Sequence, residues 1–169
     1  PHHRSPHLRA GTNDEAAGCD LVLLAIDAAH IVTAALDLEP ALRGKTVVSM
    51  AAQVQPDDRG MRPTLPSRGS IAAELAHALP SSRVVVAFQH APAKAVAAFD
   101  EPFPGDVLVC GDDTAAVEEV VERLGKAVGA TCHDAGGLHN AVAIEAMTAV
   151  ILSLNIHQKS RHSLEIVET

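Results

Sequence analysis

Short β-branched and apolar runs recur along the chain, each separated from the next by a stretch of helix length, and this alternation limits the fold more than any other feature. The runs are residues 20–26 (DLVLLAI), 45–50 (KTVVSM), 83–88 (RVVVAF), 106–110 (DVLVC) and 130–133 (ATCH). An apolar run bounded by polar residues is the pattern of a strand buried on both faces. Between the runs, residues 28–38 have helical spacing that Pro40 is expected to close. Ser67 or Ser70 caps a helix over 70–78, and Asp112 or Asp113 caps one through Lys126. In the latter, Glu118, Glu119 and Glu122 precede Arg123 and Lys126, the order a helix dipole favours. Strands joined by helix-length connections pair in parallel through right-handed crossovers, with helices on both faces. The expectation is a doubly wound α/β fold with a parallel sheet.

The remaining segments read as connections. Residues 53–67 hold Pro56, Pro63 and Pro66 with Arg59, Arg62 and Gly60, which predicts a long loop. His90-Ala91-Pro92 leads into a short Ala-rich helix, and Pro102, Pro104 and Gly105 make another loop. Asp134-Ala135-Gly136-Gly137 predicts a turn before a long apolar helix from 138 to about 158. Residues 1–15, which open PHHRSPH, predict a disordered tail, and 16–169 the folded domain.

Composition narrows the function classes. The chain is 47% hydrophobic yet has only Phe88, Phe99 and Phe103 as aromatics, so small branched side chains fill its core and base-stacking platforms are lacking. A net charge of −8 leaves no surplus of cations to displace phosphate counterions, which argues against nucleic acid. No polybasic run seeks a membrane surface, and the apolar stretch 141–156 is broken by Glu145 and Asn155 and is shorter than a span. No apolar leader is visible at the start. Cys19, Cys110 and Cys132 are odd in number and far apart, which suggests reduced thiols and no metal site. The expectation is a cytoplasmic protein.

In sheets of this kind ligands sit beyond the carboxyl ends of the strands. Those ends are Ile26-Asp27, Ser49-Met50-Ala51 and Gln89-His90-Ala91-Pro92. His90 either faces a ligand or is a hydrogen-bonded loop histidine, and Ser49 either donates to a bound carbonyl or caps its own turn. Arg59, Arg62 and Arg68 are solvated loop charges or anion ligands, with the first the commoner outcome. His30 reads as a surface or capping residue, and His133, His139 and His157 as structural. Asp112 and Asp113 read better as a helix cap than as paired catalytic carboxylates. No Gly-rich strand–turn–helix unit that would cradle a pyrophosphate occurs, and Gly136-Gly137 reads as a turn.

Six segments in order resemble the deazaflavin (coenzyme F420)-dependent NADP reductases. They are residues 17–26 (AGCDLVLLAI), 45–51 (KTVVSMA), 66–70 (PSRGS), 88–93 (FQHAPA), 106–113 (DVLVCGDD) and 134–140 (DAGGLHN). The resemblance implies a Rossmann-like NADP-binding domain that lacks its first βαβ unit and is closed by a long C-terminal helix. It implies NADP and coenzyme F420 as cofactors, with hydride passing directly between their rings and no side chain needed as a catalytic acid or base. Ile26, Asp27 and Ala93 would line the NADP side, Ser49, Ala52 and His90 would lie near the paired rings, and the C-terminal helix would join two subunits into a homodimer. Asp27 stands where the family usually has Pro, and Gln89-His90 where it often has two histidines. The phosphate-cradling unit is expected upstream of this chain's first residue, which leaves the run at 20–26 as an exposed edge, so this chain alone is expected to be unstable or to aggregate, to bind NADPH poorly and to be inactive. An imine or pyrroline-carboxylate reductase, and a non-catalytic dimerisation module, are the alternatives.

Overall fold

The computed structural model describes residues 9–91 and 103–169. The expected Ala-rich helix after Pro92, and Ala93 with it, lie outside the described residues.

Each apolar run forms a strand: β1 (Leu21–Leu24), β2 (Thr46–Ser49), β5 (Arg83–Val86), β6 (Asp106–Gly111) and β7 (Thr131–Asp134). They make one five-stranded sheet in the order β1-β2-β5-β6-β7. β1, β2 and β5 are mutually parallel, as are β6 and β7. The sheet is α/β and mostly parallel, but β5 pairs with β6 antiparallel, Val86 opposite Cys110. The run at 106–110 marks a buried strand equally well in either direction, because alternation and burial carry no polarity.

One face of the sheet presents Val22, Leu24, Val47, Val84, Val86 and Cys110 to a core shared with α2 (Ile31–Asp37), α4 (Ile71–Ala78) and the start of α6 (Ala141–Gln158). The other presents Val48, Val85, Val107 and Val109 to Ala116, Val117 and Val120 of α5 (Thr114–Val128). α5 does not reach fully across β1, so Leu23 is 42% exposed on the edge strand.

Local chemistry sets the helix ends. Asp113, not Asp112, caps α5 by accepting from Ala116 N at 2.9 Å, and Gly129 closes it with a left-handed φ of +65°. Asp112 instead accepts from Leu138 N at 2.8 Å, which ties the end of β6 to the 3₁₀ turn Leu138–Asn140. Ser70 caps α4 by accepting from Ala73 N. Pro40 does not simply close a helix. It lies in the first turn of a separate one, α3 (Glu39–Leu42), where its missing N–H has no partner to lose.

Two other segments depart from the sequence reading. α1 (Asn13–Ala17) begins inside the stretch 1–15, held by a capping box between Thr12 and Glu15. The stretch 53–67 contains a hairpin, β3 (Val54–Asp57) and β4 (Gly60–Pro63), whose partner is α6. Ser153 of α6 accepts from Met61 N at 2.9 Å and donates to Met61 O at 3.1 Å. Prolines are tolerated in so short a ribbon because each strand has one free edge.

Candidate functional site

Because β1, β2 and β5 are parallel neighbours, their carboxyl ends open on one side of the sheet. Residues 25–27, 50–52 and 87–91 therefore form a continuous ridge. Four of the six residues singled out from the sequence, Ile26, Asp27, Ala52 and His90, lie on it, and Ser49 ends β2 directly before it.

Ile26 is half-buried and packs against the core under α2. Asp27 is exposed, and its carboxylate accepts from Ala29 N at 2.9 Å while its carbonyl receives His30 N and Ile31 N. Asp27 is thereby the turn that starts α2. His30 occupies the helix's N-terminal boundary without capping it through its side chain. Ser49 is wholly buried, and its hydroxyl oxygen has no hydrogen-bond partner among the described residues. Beyond Met50, which packs against the core on the α5 side, Ala51 is buried and Ala52 half-buried, so two small side chains follow the end of β2.

The end of β5 is the most constrained part of the ridge. Phe88 adopts a left-handed φ of +68°, which a bulky residue rarely takes and which costs about 1–3 kcal/mol. Its ring meets Phe103 edge-to-face at 5.9 Å, and both rings are buried in the core under α5. This turn sends Gln89 back across β2, where its Nε2 donates to Ser49 O at 2.7 Å. His90 Nε2 lies 3.0 Å from Asp106 O at the start of β6. Gln89 Oε1 and His90 Nδ1 remain buried and unpartnered. His90 thus donates a hydrogen bond as a loop histidine does, yet its other ring nitrogen has no partner among the described residues.

α6 forms the wall opposite this turn. A cavity of about 230 Å3 lies between Gln89, His90 and Ala91 on one side and Thr148, Ile151 and Asn155 on the other. Arg161 and His162, from the segment after α6, also line it. Asn155 holds His162 by accepting from its backbone N–H at 2.8 Å. The segment then returns to β6, where Leu164 O accepts from Asp106 N and Ile166 N donates to Asp106 Oδ2, both at 2.7 Å. That bond from Ile166, and then the His133 ring 3.1 Å away, hold the Asp106 carboxyl below the usual carboxylate range.

Glu145 of α6 is buried and accepts from Ile71 N at 2.8 Å and Ala72 N at 3.0 Å. Desolvation pushes its carboxyl above the usual range against the opposing pull of those two bonds. The pair of bonds docks α6 onto the first turn of α4 and so fixes the wall of the cavity.

The arginines expected in the loop do not gather at the ridge. Arg62 bonds Gln55 across the hairpin and Arg68 pairs with Glu74. His133 pairs with Asp106, and His157 bonds Arg59 O, both structural. Gln89 and Thr148 are site residues that the sequence reading did not assign. Gln89 stood out there only as a departure from the family pattern. The one available signal for Thr148 was a hydroxyl within an otherwise apolar helical run.

Comparison with known proteins gives this site its context. The F420-dependent NADP reductase of Methanocaldococcus jannaschii is 32% identical over 150 residues, which cover 88% of this chain and 67% of the relative. The chain belongs to the F420-dependent NADP reductase family. A second member, from Methanothermobacter thermautotrophicus, is 31% identical over 89% of this chain and 66% of its own length. The chain therefore spans about two thirds of the length of these curated relatives. No protein-family model matches it.

Among solved structures, a protein of Arthrobacter sp. FB24 described as belonging to the same reductases superposes with a TM-score of 0.77 at 26% identity, over 92% of this chain and 72% of that one. The NADP-bound pyrroline carboxylate reductase of Plasmodium falciparum reaches a TM-score of 0.55 at 12% identity, over 89% of this chain and 49% of that one. That second likeness shows the Rossmann-like fold alone. The family resemblance read from six short segments is thus upheld across most of the chain.

One expectation about the C-terminal helix needs correcting. With its 3₁₀ turn the helical segment runs Leu138–Gln158, 21 residues with an 18-residue window of mean hydropathy 1.3, long and apolar enough to cross a membrane. The sequence places the helix at 138 to about 158 but weighs only its apolar stretch 141–156 against the length of a span. Here Ala141, Ile144, Glu145 and Thr148 are buried inside the fold.

Proposed function

We propose that this chain carries the ring-facing part of a site where hydride passes between reduced coenzyme F420 and NADP. The observation that carries the reading is the set of buried, unpartnered polar atoms on Ser49, Gln89 and His90, all at the carboxyl ends of adjacent parallel strands. A buried polar atom in a native fold normally has a partner, so this set fits ligands whose own polar edges complete it. When bound face to face, the two cofactors supply the reaction themselves, deazaflavin C5 and nicotinamide C4 exchanging hydride in either direction.

The chain's own residues bind and orient. Ile26, Asp27 and Ala93 are assigned to the NADP side, and Ser49, Ala52 and His90 to the neighbourhood of the rings. Ala51 and Ala52 leave space beside the end of β2, while the left-handed turn at Phe88 fixes Gln89 and His90 without freedom to move aside. α6 shields one side of the cavity from water through Ile151 and Leu152. Placement of this kind removes the entropic part of a two-reactant barrier, and no side chain has to move a proton. No catalytic acid or base is therefore assigned.

The protein is read as a cytoplasmic homodimer that takes small-molecule cofactors and neither nucleic acid nor membrane. Support for the dimer comes from α6, whose outer side leaves Val150 and Ile156 more than half exposed. A groove of about 500 Å3 runs there between Met61 and Pro63 of β4 and Met147, Val150 and Leu154 of α6. The acidic net charge supports the exclusion of nucleic acid.

The test is hydride transfer itself, followed as the change in deazaflavin absorbance when F420 and NADPH are mixed with the full-length protein that carries this chain. Ala52→Leu should fold normally yet lower kcat/KM by about tenfold or more, equivalent to roughly 1.4 kcal/mol of transition-state placement. Turnover unchanged by that variant, or absent with both cofactors, would sink the assignment.

A further inference from the structure

Three side chains that line the cavity between β5 and α6 end in buried polar atoms without a partner: Gln89 Oε1, His90 Nδ1 and Thr148 Oγ1. Their residues are 8%, 6% and 9% exposed, so bulk water does not complete them. Among the described residues the other buried side-chain atoms without a hydrogen-bond partner, Ser49 Oγ, Thr64 Oγ1 and His133 Nε2, do not line this cavity, so half of all such atoms converge on one space. A concentration of incomplete atoms around one space marks a place for a ligand group.

The neighbours of these atoms fix what that group must be. Gln89 Nε2 is committed to Ser49 O, so the free end of its amide is the oxygen, an acceptor. His90 Nε2 faces Asp106 O, and only an N–H satisfies a carbonyl. In the neutral ring Nδ1 then carries the lone pair and is also an acceptor. The Thr148 hydroxyl donates or accepts. Two acceptors and a hydroxyl complement a group that has an N–H next to a C=O. A carboxylate would set negative oxygen against both acceptors.

We propose that this cavity is an amide-reading pocket, in which Gln89 and His90 receive the N–H of a carboxamide or cyclic imide and Thr148 donates to its carbonyl. The inference rests on the hydride-transfer reading and names three specificity-determining residues for it. At about 230 Å3 the space exceeds the roughly 150 Å3 that holds a benzene-sized ring, so it suits the end of one ring system. Two ligands carry this chemistry, the nicotinamide carboxamide and the pyrimidinedione edge of a deazaflavin.

The experiment is a pair of titrations on the full chain labelled with ¹⁵N-histidine. One compares nicotinamide mononucleotide with nicotinic acid mononucleotide, the other a 5-deazaflavin riboside with its N3-methyl derivative. The free protein should show His90 with Nδ1 unprotonated, and the Nδ1 resonance should move with one N–H-bearing probe. Its counterpart lacking that N–H should bind about fivefold or more weakly, the effect of one hydrogen bond. The responding pair identifies the source.

Thr148→Val should leave the thermal midpoint unchanged or higher, because it removes an unpaired hydroxyl, yet weaken the responding probe by about fivefold. Thr148→Ser should restore it, and Thr148→Ala, which also lacks the hydroxyl, should show the same weakening where the valine variant folds poorly. Equal binding of both members of each pair, a protonated Nδ1, no response to any probe, or an unchanged Kd for Thr148→Val would each overturn the proposal. Absence of hydride transfer in the wild-type protein given both whole cofactors is a separate result and would remove the reductase reading instead.

Discussion

Replacing Glu145 by leucine removes the acceptor that completes the first turn of α4. The first N–H groups of a helix have no partner within it. In α4, Ser70 Oγ takes Ala73 N, and the two oxygens of Glu145 take Ile71 N and Ala72 N across the interface with α6. Ile71 and Ala72 are 3% and 0% exposed, so water does not replace the lost carboxylate. Each orphaned donor costs about 1–3 kcal/mol, for a gross loss of roughly 2–6 kcal/mol. Relief from burying a carboxylate offsets part of it, leaving an expected loss of about 2–4 kcal/mol against a typical total near 5–15 kcal/mol. Glu145→Gln keeps one acceptor and should lose about half as much.

Urea unfolding followed by circular dichroism measures the loss, and pH dependence supplies an independent check. Burial raises the folded-state pKa of Glu145 above its unfolded value, so the folded state binds the proton more tightly. The stability linked to this proton is fully present below the unfolded glutamate range and is lost as pH rises through the raised folded pKa. The gap between wild type and Glu145→Leu should be widest in acid, narrow upward through that window, and then stay constant. A leucine variant within about 0.5 kcal/mol of wild type, or a gap that widens with rising pH, would refute the reasoning.

Three further expectations concern other parts of the fold. Burial pushes the Cys110 thiol up to about 12 and raises that of Cys132, whereas Cys19 is exposed, so a thiol reagent at pH 8 should label Cys19 fast, Cys132 slowly and Cys110 only on unfolding. Gly105 has a φ of +85° and no room for a Cβ against Leu164 O and Ser163; Gly105→Ala should cost about 1–2 kcal/mol and speed hydrogen exchange at the amides of Asp106 and Ile166. Leu23→Lys places a charge on the exposed side of the edge strand and should lower self-association of this chain in light scattering, with an unchanged size distribution counting against an adhesive edge.

What the sequence makes legible here is what burial alone decides. The runs ending at Ser49 and Val86 had to be strands because their valines face cores on both sides, the run ending at Leu24 follows them with only Leu23 left exposed on the edge, and the ligand-facing ridge followed from their parallel order. The hairpin at 54–63 was hidden because Pro56 and Pro63 suppress every strand signal, and contacts with α6, roughly ninety residues away, stabilise it, among them the bonds of Ser153 to Met61 and of His157 to Arg59 O. The polarity of β6 was hidden for a different reason: it depends on how the chain returns from β5, which no local pattern encodes. Gln89 and Thr148 were missed because their importance lies in what they lack, a partner, and that is a property of the folded arrangement.

The reversal of β6 matters to the site. In a parallel β6 the carboxyl end of the strand would rise beside His90. In the antiparallel arrangement Val86 lies opposite Cys110, and the chain beyond β5 brings the His90 ring to the carbonyl of Asp106, the first residue of β6. Asp106 then serves three neighbours at once: its carbonyl faces the His90 ring, its N–H donates to Leu164 O, and its carboxylate receives Ile166 N beside His133. One residue therefore sets the orientation of the histidine and anchors the segment that carries Arg161 and His162 over the cavity. A perturbation of residues 163–166 should accordingly be felt at His90, although no side chain of that segment lines the cavity. The Gly105→Ala variant reads this coupling: displacement of the returning segment should change the His90 ring resonances, and an undisturbed His90 would show that the two are independent.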